Sequence, residues 1–136
     1  MNKVMISIIG KQENEGDKDS VELVTEGEYE YSPENSSLIY QESSITGMEG
    51  TTTTFSIEPD TVTLTRVGTV TSQMLFRKGE KHLFLYDTPY GAYTMGISTN
   101  RLNVALNENG GHMEISYALD IDNVKISNNE FIIDIR

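Results

Sequence analysis

SVELVTEGEYEYS (Ser20–Ser32) alternates residue by residue. Val21, Leu23, Thr25, Tyr29 and Tyr31 share one face, while Glu22, Glu26, Glu28 and Glu30 share the other. Val24 is the exception. A period of two with one apolar and one charged face is the pattern of a half-buried antiparallel strand. The same period extends outward in both directions. SLIYQES carries Leu38, Tyr40 and Glu42 in phase, and GTTTTFSIE sets Thr51, Thr53, Phe55 and Ile57 against Thr52, Thr54 and Ser56. Threonine at this density favours strand over helix, because its branched side chain suits a pleated surface.

Downstream, DTVTLTR aligns Val62, Leu64 and Arg66, and GTVTSQMLFRK aligns Val70, Met74 and Phe76. EKHLFLYD is apolar on both faces. AYTMGIST aligns Tyr93, Met95, Ile97 and Thr99, and HMEISYALDI aligns Met113, Ile115, Tyr117, Leu119 and Ile121. EFIIDIR closes the chain with Phe131, Ile133 and Ile135, and the first strand, around Val4 to Ile9, is apolar on both faces. PENSS, EPD, RVG, RKGEK, NENGG and SNNE read as short turns, since Gly, Asn, Asp and Pro supply the dihedrals of tight hairpins. Asn100 to Asn109 reads as strand or as one helical turn, and no segment has a clear period of 3.6.

The reading is all-β, one domain over residues 1–136. About eight to ten strands joined by hairpins must expose edges or close, and closure removes the edges. A single up-and-down antiparallel β-barrel is the expected architecture, with a two-sheet sandwich as the alternative.

Composition narrows the partners. The net charge is −11, from 10 basic and 21 acidic residues. Nucleic-acid binding rests on Lys and Arg against phosphates, and an anionic membrane surface repels such a chain, so neither is an expected partner. There is no cysteine, which suits a reducing compartment. The N-terminus lacks the apolar run of a signal peptide, and no run is long enough to span a bilayer. A soluble cytoplasmic protein is expected, and a homodimer is compatible with the sequence.

Tyr40–Ile57 (YQESSITGMEGTTTTFSI), Leu64–Thr99 (LTRVGTVTSQMLFRKGEKHLFLYDTPYGAYTMGIST) and Asn107–Asn123 (NENGGHMEISYALDIDN) resemble the YwiB-like family of uncharacterised bacterial proteins. The resemblance runs from about the second strand to the end of the chain. It implies a lipocalin-like, calycin-type barrel, a bacterial cytoplasmic setting and, by analogy with lipocalins, a ligand cavity. It transfers no activity, and fold analogy alone does not assign function.

Arg66 is the most informative single residue. It is in phase with Val62 and Leu64, so it points toward the buried face. A buried guanidinium stays ionised and needs a partner. One candidate is Glu42, in phase with Leu38 and Tyr40. The other is an anionic ligand held in a bidentate fork. A third reading lets Arg66 snorkel to water from a strand end. Tyr40, Thr51, Thr53, Tyr93, Thr99 and Tyr117 also sit in apolar phase. They fit a barrel holding water or a polar-headed ligand, and equally tyrosines that pack their rings and reach water with their hydroxyls. In DTPYGAYTMGIST (Asp87–Thr99), Pro89 and an Asp87 turn make a hairpin corner that places Tyr90 at a barrel rim.

The expected ligand-binding set is Arg66, Glu42, Tyr40, Tyr86, Tyr90, Tyr93, Thr99 and Tyr117. No metal site or cofactor is expected: His82 and His112 are far apart, each beside a turn, and Asp120–Asn123 (DIDN) lacks the glycine and terminal glutamate of a calcium loop. No nucleophile motif or phosphate-binding glycine loop is present. The leading reading is a non-catalytic binding module for a small, partly apolar ligand with an anionic group. The alternative is a structural or interaction barrel filled by its own side chains, and an enzyme ranks third.

Overall fold

A computed structural model describes all residues, 1–136. It contains ten strands: β1 (Asn2–Asn14), β2 (Asp17–Glu30), β3 (Ser36–Gln41), β4 (Thr52–Ile57), β5 (Val62–Val67), β6 (Ser72–Phe76), β7 (Lys81–Thr88), β8 (Gly91–Asn107), β9 (Gly110–Ile121) and β10 (Val124–Ile135). The only helical segment is a 3₁₀ turn at Ser44–Thr46, so no helix is long and apolar enough to cross a membrane. The strands form one antiparallel sheet in the order β6-β5-β4-β3-β2-β1-β10-β9-β8-β7. Every hairpin from β1 to β6 and from β7 to β10 joins spatial neighbours. The chain ends meet where β1 pairs with β10 over Ile6↔Ile135 to Glu13↔Asn128.

The barrel closes at β6 and β7, and there the join is sparse. A single antiparallel bridge, Thr71↔Asp87, links the two sides. Its bonds are Thr71 N to Asp87 O at 2.9 Å and Asp87 N to Thr71 O at 3.0 Å. At the other end of this seam the Arg77–Glu80 turn connects the strands, with Glu80 N donating to Arg77 O at 3.0 Å. Between those points the facing backbones of β6 and β7 share no ladder. The architecture is therefore a nearly closed, lipocalin-like up-and-down barrel rather than a sandwich.

The interior follows the alternation. Ile6, Leu38, Phe55, Val62, Leu64, Phe76, Ile97, Met113, Ile115 and Ile133 are fully buried in one core. Gly27 occupies an inward position on β2, where a Cβ would collide with Ile6 Cδ1 and Ile39 O. Glycine there lets β1, β2 and β3 approach closely.

Three local readings change. β1 runs to Asn14 and turns at Glu15–Gly16, both with positive φ, so the first hairpin is much longer than Val4 to Ile9. SNNE is not a turn: Asn128 and Asn129 lie in the ladder opposite Ala118 and Tyr117. The reversal is instead at Asp122–Asn123, whose φ values of 52° and 65° suit a tight two-residue hairpin. At the β7–β8 corner the Thr88 hydroxyl accepts from Tyr90 N at 3.1 Å and donates to Gly91 O at 3.0 Å. Thr88 sits one residue nearer the corner than Asp87, whose backbone is committed to the seam bridge. Asn100 to Asn107 is strand.

Candidate ligand-binding site

The strand directions put the loops 15–16, 42–51, 68–71, 89–90 and 122–123 at one end of the barrel, here called the upper end. Below this end a row of inward residues crosses the sheet: Tyr40 opposite Thr53, Thr53 opposite Arg66, and Arg66 opposite Ser72. Glu42 follows β3 at the start of the 42–51 loop, with its amide bonded to Thr51 O at 2.9 Å. The same loop is tied down by Val70 N donating to Thr51 Oγ1 at 3.1 Å and by Thr69 Oγ1 donating to Glu49 O at 2.8 Å.

The Glu42 carboxylate accepts from Thr53 Oγ1 at 2.5 Å and from Thr46 Oγ1 at 3.0 Å. Arg66 Nε lies 3.8 Å from Glu42 Oε2. That distance gives a Coulombic attraction but not a hydrogen bond. The two side chains are 12% and 1% exposed, respectively. Arg66 Nε is buried and donates to no protein atom. The guanidinium is thus balanced in charge while its Nε–H is left without an acceptor.

Two cavities share Arg66 as a wall, together with Gln12, Thr46, Met48 and Tyr117. The smaller, ≈ 250 Å³, lies under the β1–β2 hairpin against Leu23, Phe131 and Tyr40. It exists partly because Gly10 carries no side chain: a Cβ there would meet only Phe131 Cε1, at 3.8 Å. The larger, ≈ 490 Å³, lies behind the seam and is lined by Ser72, Met74, Phe84, Tyr86, Met95 and Leu119. A third depression of ≈ 570 Å³ is a groove beside β1 and β2 lined mainly by polar residues.

Both tyrosines beside Arg66 are held in their protonated form. Burial, reinforced by the Glu42 charge, raises Tyr40 far above the ordinary phenol value, against an opposing pull from Arg66. Burial pushes Tyr117 up to about 12, with Arg66 opposing and Tyr86 adding to the rise. At neutral pH each phenol keeps its O–H. The site is consequently rich in donors: one guanidinium, two phenols and the Ser72 hydroxyl.

Of the residues expected from sequence, the structure brings Arg66, Glu42, Tyr40 and Tyr117 together. Tyr86 and Tyr90 line the larger cavity, with Tyr90 92% exposed at its mouth. Tyr93 and Thr99 line none of these cavities. Tyr93 is half-exposed and folds over Gly91, its hydroxyl 3.4 Å from where a Cβ would stand. Thr99 is buried beside the turn at the far end of the seam, where its backbone bonds Gly79 and Glu80 and its hydroxyl has no partner. The bulge between Thr99 and Arg101 shifts the ladder there.

Sequence reasoning passed over Ser72, Gly10, Gln12, Thr46 and Met48. Ser72 carried a usable signal, being a polar residue in phase with Met74 and Phe76, as Arg66 is with Leu64. The loop residues carried none, since their placement depends on how residues 42–51 fold back. His112 is also richer than a lone surface histidine. On the outer face its Nδ1 is 2.7 Å from Asp134 Oδ1 and its Nε2 is 2.7 Å from Glu114 Oε2, and Arg101 bridges Glu114 at 3.1 Å. Hydrogen bonding first to Asp134 and then to Glu114 raises the His112 pKa.

Comparison with known proteins fits this architecture. The family model described as "Domain of unknown function (DUF1934)" matches residues 6–133. The chain belongs to the DUF1934 family. The crystal structure of the ywiB protein from Bacillus subtilis is similar over 97% of this chain and 90% of that one, with a TM-score of 0.77 and 20% identity. At that identity the likeness shows the barrel fold. No curated protein matches the chain. The DUF1934 match begins at Ile6 in β1 and ends at Ile133 in β10, so it spans both the dry core and the Arg66 row.

Proposed function

We propose that this DUF1934 barrel is a non-catalytic binding module for a small, partly apolar ligand with an anionic group, anchored by Arg66. One observation carries the reading. Arg66 Nε is buried with no hydrogen-bond partner, at the wall shared by two cavities. Buried donors in folded proteins are normally satisfied, so an exception beside empty volume points to a missing acceptor. The apolar part of the cavity walls suits the rest of such a ligand. Glu42 does not fill the donor's need, because its nearest oxygen lies 3.8 Å from Arg66 Nε, beyond hydrogen-bonding distance. The setting proposed is a reducing cytoplasm, which the lack of cysteine favours, and the net charge of −11 argues against nucleic acid as a partner.

The alternative is an interaction barrel that binds no small molecule. The Arg66–Glu42 contact favours it, since the pair neutralises itself. Native mass spectrometry of gently purified full-length protein, followed by organic extraction, separates the two. The binding reading expects a reproducible added mass, absent from the Arg66→Met/Glu42→Gln double variant, which removes the anchor without stranding a charge. A clean apo mass in the wild type, with no thermal shift on adding straight-chain monocarboxylates, contradicts it.

A further inference from the structure

The two cavities that meet at Arg66 are not equivalent, and the difference bears on where a ligand sits; the argument rests on the binding reading above. We infer that the ligand is a monocarboxylate with an unbranched apolar chain, that it occupies the larger cavity behind the β6–β7 seam, and that Ser72 Oγ and Arg66 Nε together hold its carboxylate.

Ser72 is 6% exposed, and its hydroxyl has no partner. It stands directly opposite Arg66 on the neighbouring strand, facing the same side. Residues so paired have Cβ atoms only about 4.5–5.5 Å apart. Two unpartnered donors on facing residues that line the same cavity suit the two oxygens of one carboxylate. The pair also selects charge. Arg66 already faces Glu42, so a monoanion adds one negative charge to a balanced pair, whereas a dianion would add two inside the barrel. Beyond the two donors the wall turns apolar at Met74, Phe84, Met95 and Leu119, which gives the chain its place.

The larger cavity has an open mouth at the upper rim beside Pro89 and Tyr90. Its wall at the seam is held at the upper end by one bridge, Thr71↔Asp87, whose parting breaks two backbone hydrogen bonds.

Octanoate and its neutral counterpart 1-octanol, titrated calorimetrically into the full chain, test this. Ser72→Ala removes a hydroxyl that nothing in the empty protein satisfies, so its apo melting temperature should equal or exceed the wild-type value. Its octanoate affinity should fall on the order of tenfold or more, with 1-octanol weakened less, because a hydrogen bond to a charged acceptor contributes more than one to a neutral hydroxyl. Gly10→Val projects into the smaller cavity beside Phe131 and narrows it, and should leave octanoate affinity unchanged. If Gly10→Val weakens octanoate and Ser72→Ala does not, the ligand sits in the smaller cavity, and this inference fails while the binding reading stands. If Ser72→Ala lowers the apo melting temperature and weakens both probes equally, Ser72 is structural and the inference fails. If the wild type binds neither octanoate nor 1-octanol, the inference fails together with the reading beneath it.

Discussion

Two neighbouring rows of inward side chains cross the same strands of this barrel. The lower row is Tyr29, Leu38, Phe55, Leu64 and Met74; the row one pleat above it is Gly27, Tyr40, Thr53, Arg66 and Ser72. Backbone pairing is continuous through both, so the ladder does not distinguish them. The side chains do. The lower row is apolar and closely filled, with Tyr29 sending its hydroxyl out to Asn107 O at 2.7 Å. The upper row carries a charge and three hydroxyl-bearing residues, and cavities open beside it. The difference runs along the barrel axis: one row is closely packed, and the next leaves Arg66 Nε and Ser72 Oγ without partners.

Substitutions sharpen that contrast, beginning with the filled row. Phe55 is fully buried, with its ring 6.4 Å from those of both Tyr40 and Phe131. Phe55→Ala should lower unfolding free energy by about 3–5 kcal/mol in denaturant titrations, through lost burial and the cavity left behind. A loss under 1 kcal/mol would show that the lower row is not the packed floor described here.

In the upper row the expected cost is electrostatic. Arg66→Met leaves Glu42 buried without a counter-charge and should cost about 3 kcal/mol, the low end for a broken buried pair because cavities beside it admit water. Glu42→Gln in the same chain should recover most of that loss. If the double variant is no more stable than Arg66→Met, charge is not what couples the two positions.

Hydrogen exchange contrasts the two places where the barrel wall joins. Amides in the β1–β10 ladder should exchange only through near-global opening. Seam-facing amides of β6 and β7, which lie between the Thr71↔Asp87 bridge and the Arg77–Glu80 turn, should exchange through local opening at far higher rates. Equal protection at both joins would remove the seam as a route inward.

The smallest effect lies on the outer wall, where His112 sits between Asp134 and Glu114. Its pKa is raised in the folded chain, so its stabilisation is full below its ordinary value of 6.5 and is lost as pH rises through the folded value. Glu114 is shifted down, chiefly by its hydrogen bond to His112, so its part is present above 4.5 and is lost as pH falls through its folded value. Thermal melts of wild type minus His112→Gln should therefore give a difference that peaks in the mildly acidic range and shrinks toward both sides. A flat difference would mean that His112 titrates alike in the folded and unfolded chain, so that Asp134 and Glu114 do not hold its proton.

Much of this contrast can be read from the chain and some cannot. Alternation in SVELVTEGEYEYS and its neighbours specifies strands, inward faces and the phase of Arg66, because a strand's side chains must alternate. It also places Glu42 and Tyr40 on the same inner side. What it lacks is axial position. Thr99 and Tyr93 have the phase of the site residues yet lie elsewhere, because shear and the bulge after Thr99 decide the height of each side chain. The β1–β2 hairpin was obscured because NEGD reads as one more polar stretch until Glu15 and Gly16 both take positive φ. The seam is invisible to periodicity, since a strand's pattern reports which of its faces is buried and not which strand lies beside it.

The most direct test of the central claim is an NMR measurement on the Arg66 Nε–H group in protein labelled at arginine nitrogen, assigned by its loss in Arg66→Met/Glu42→Gln. Its resonance should move downfield and its solvent exchange should slow on addition of octanoate, with no such change on addition of 1-octanol. An Arg66 Nε–H signal that stays fixed through an octanoate titration would contradict the assignment of this guanidinium as the ligand's anchor.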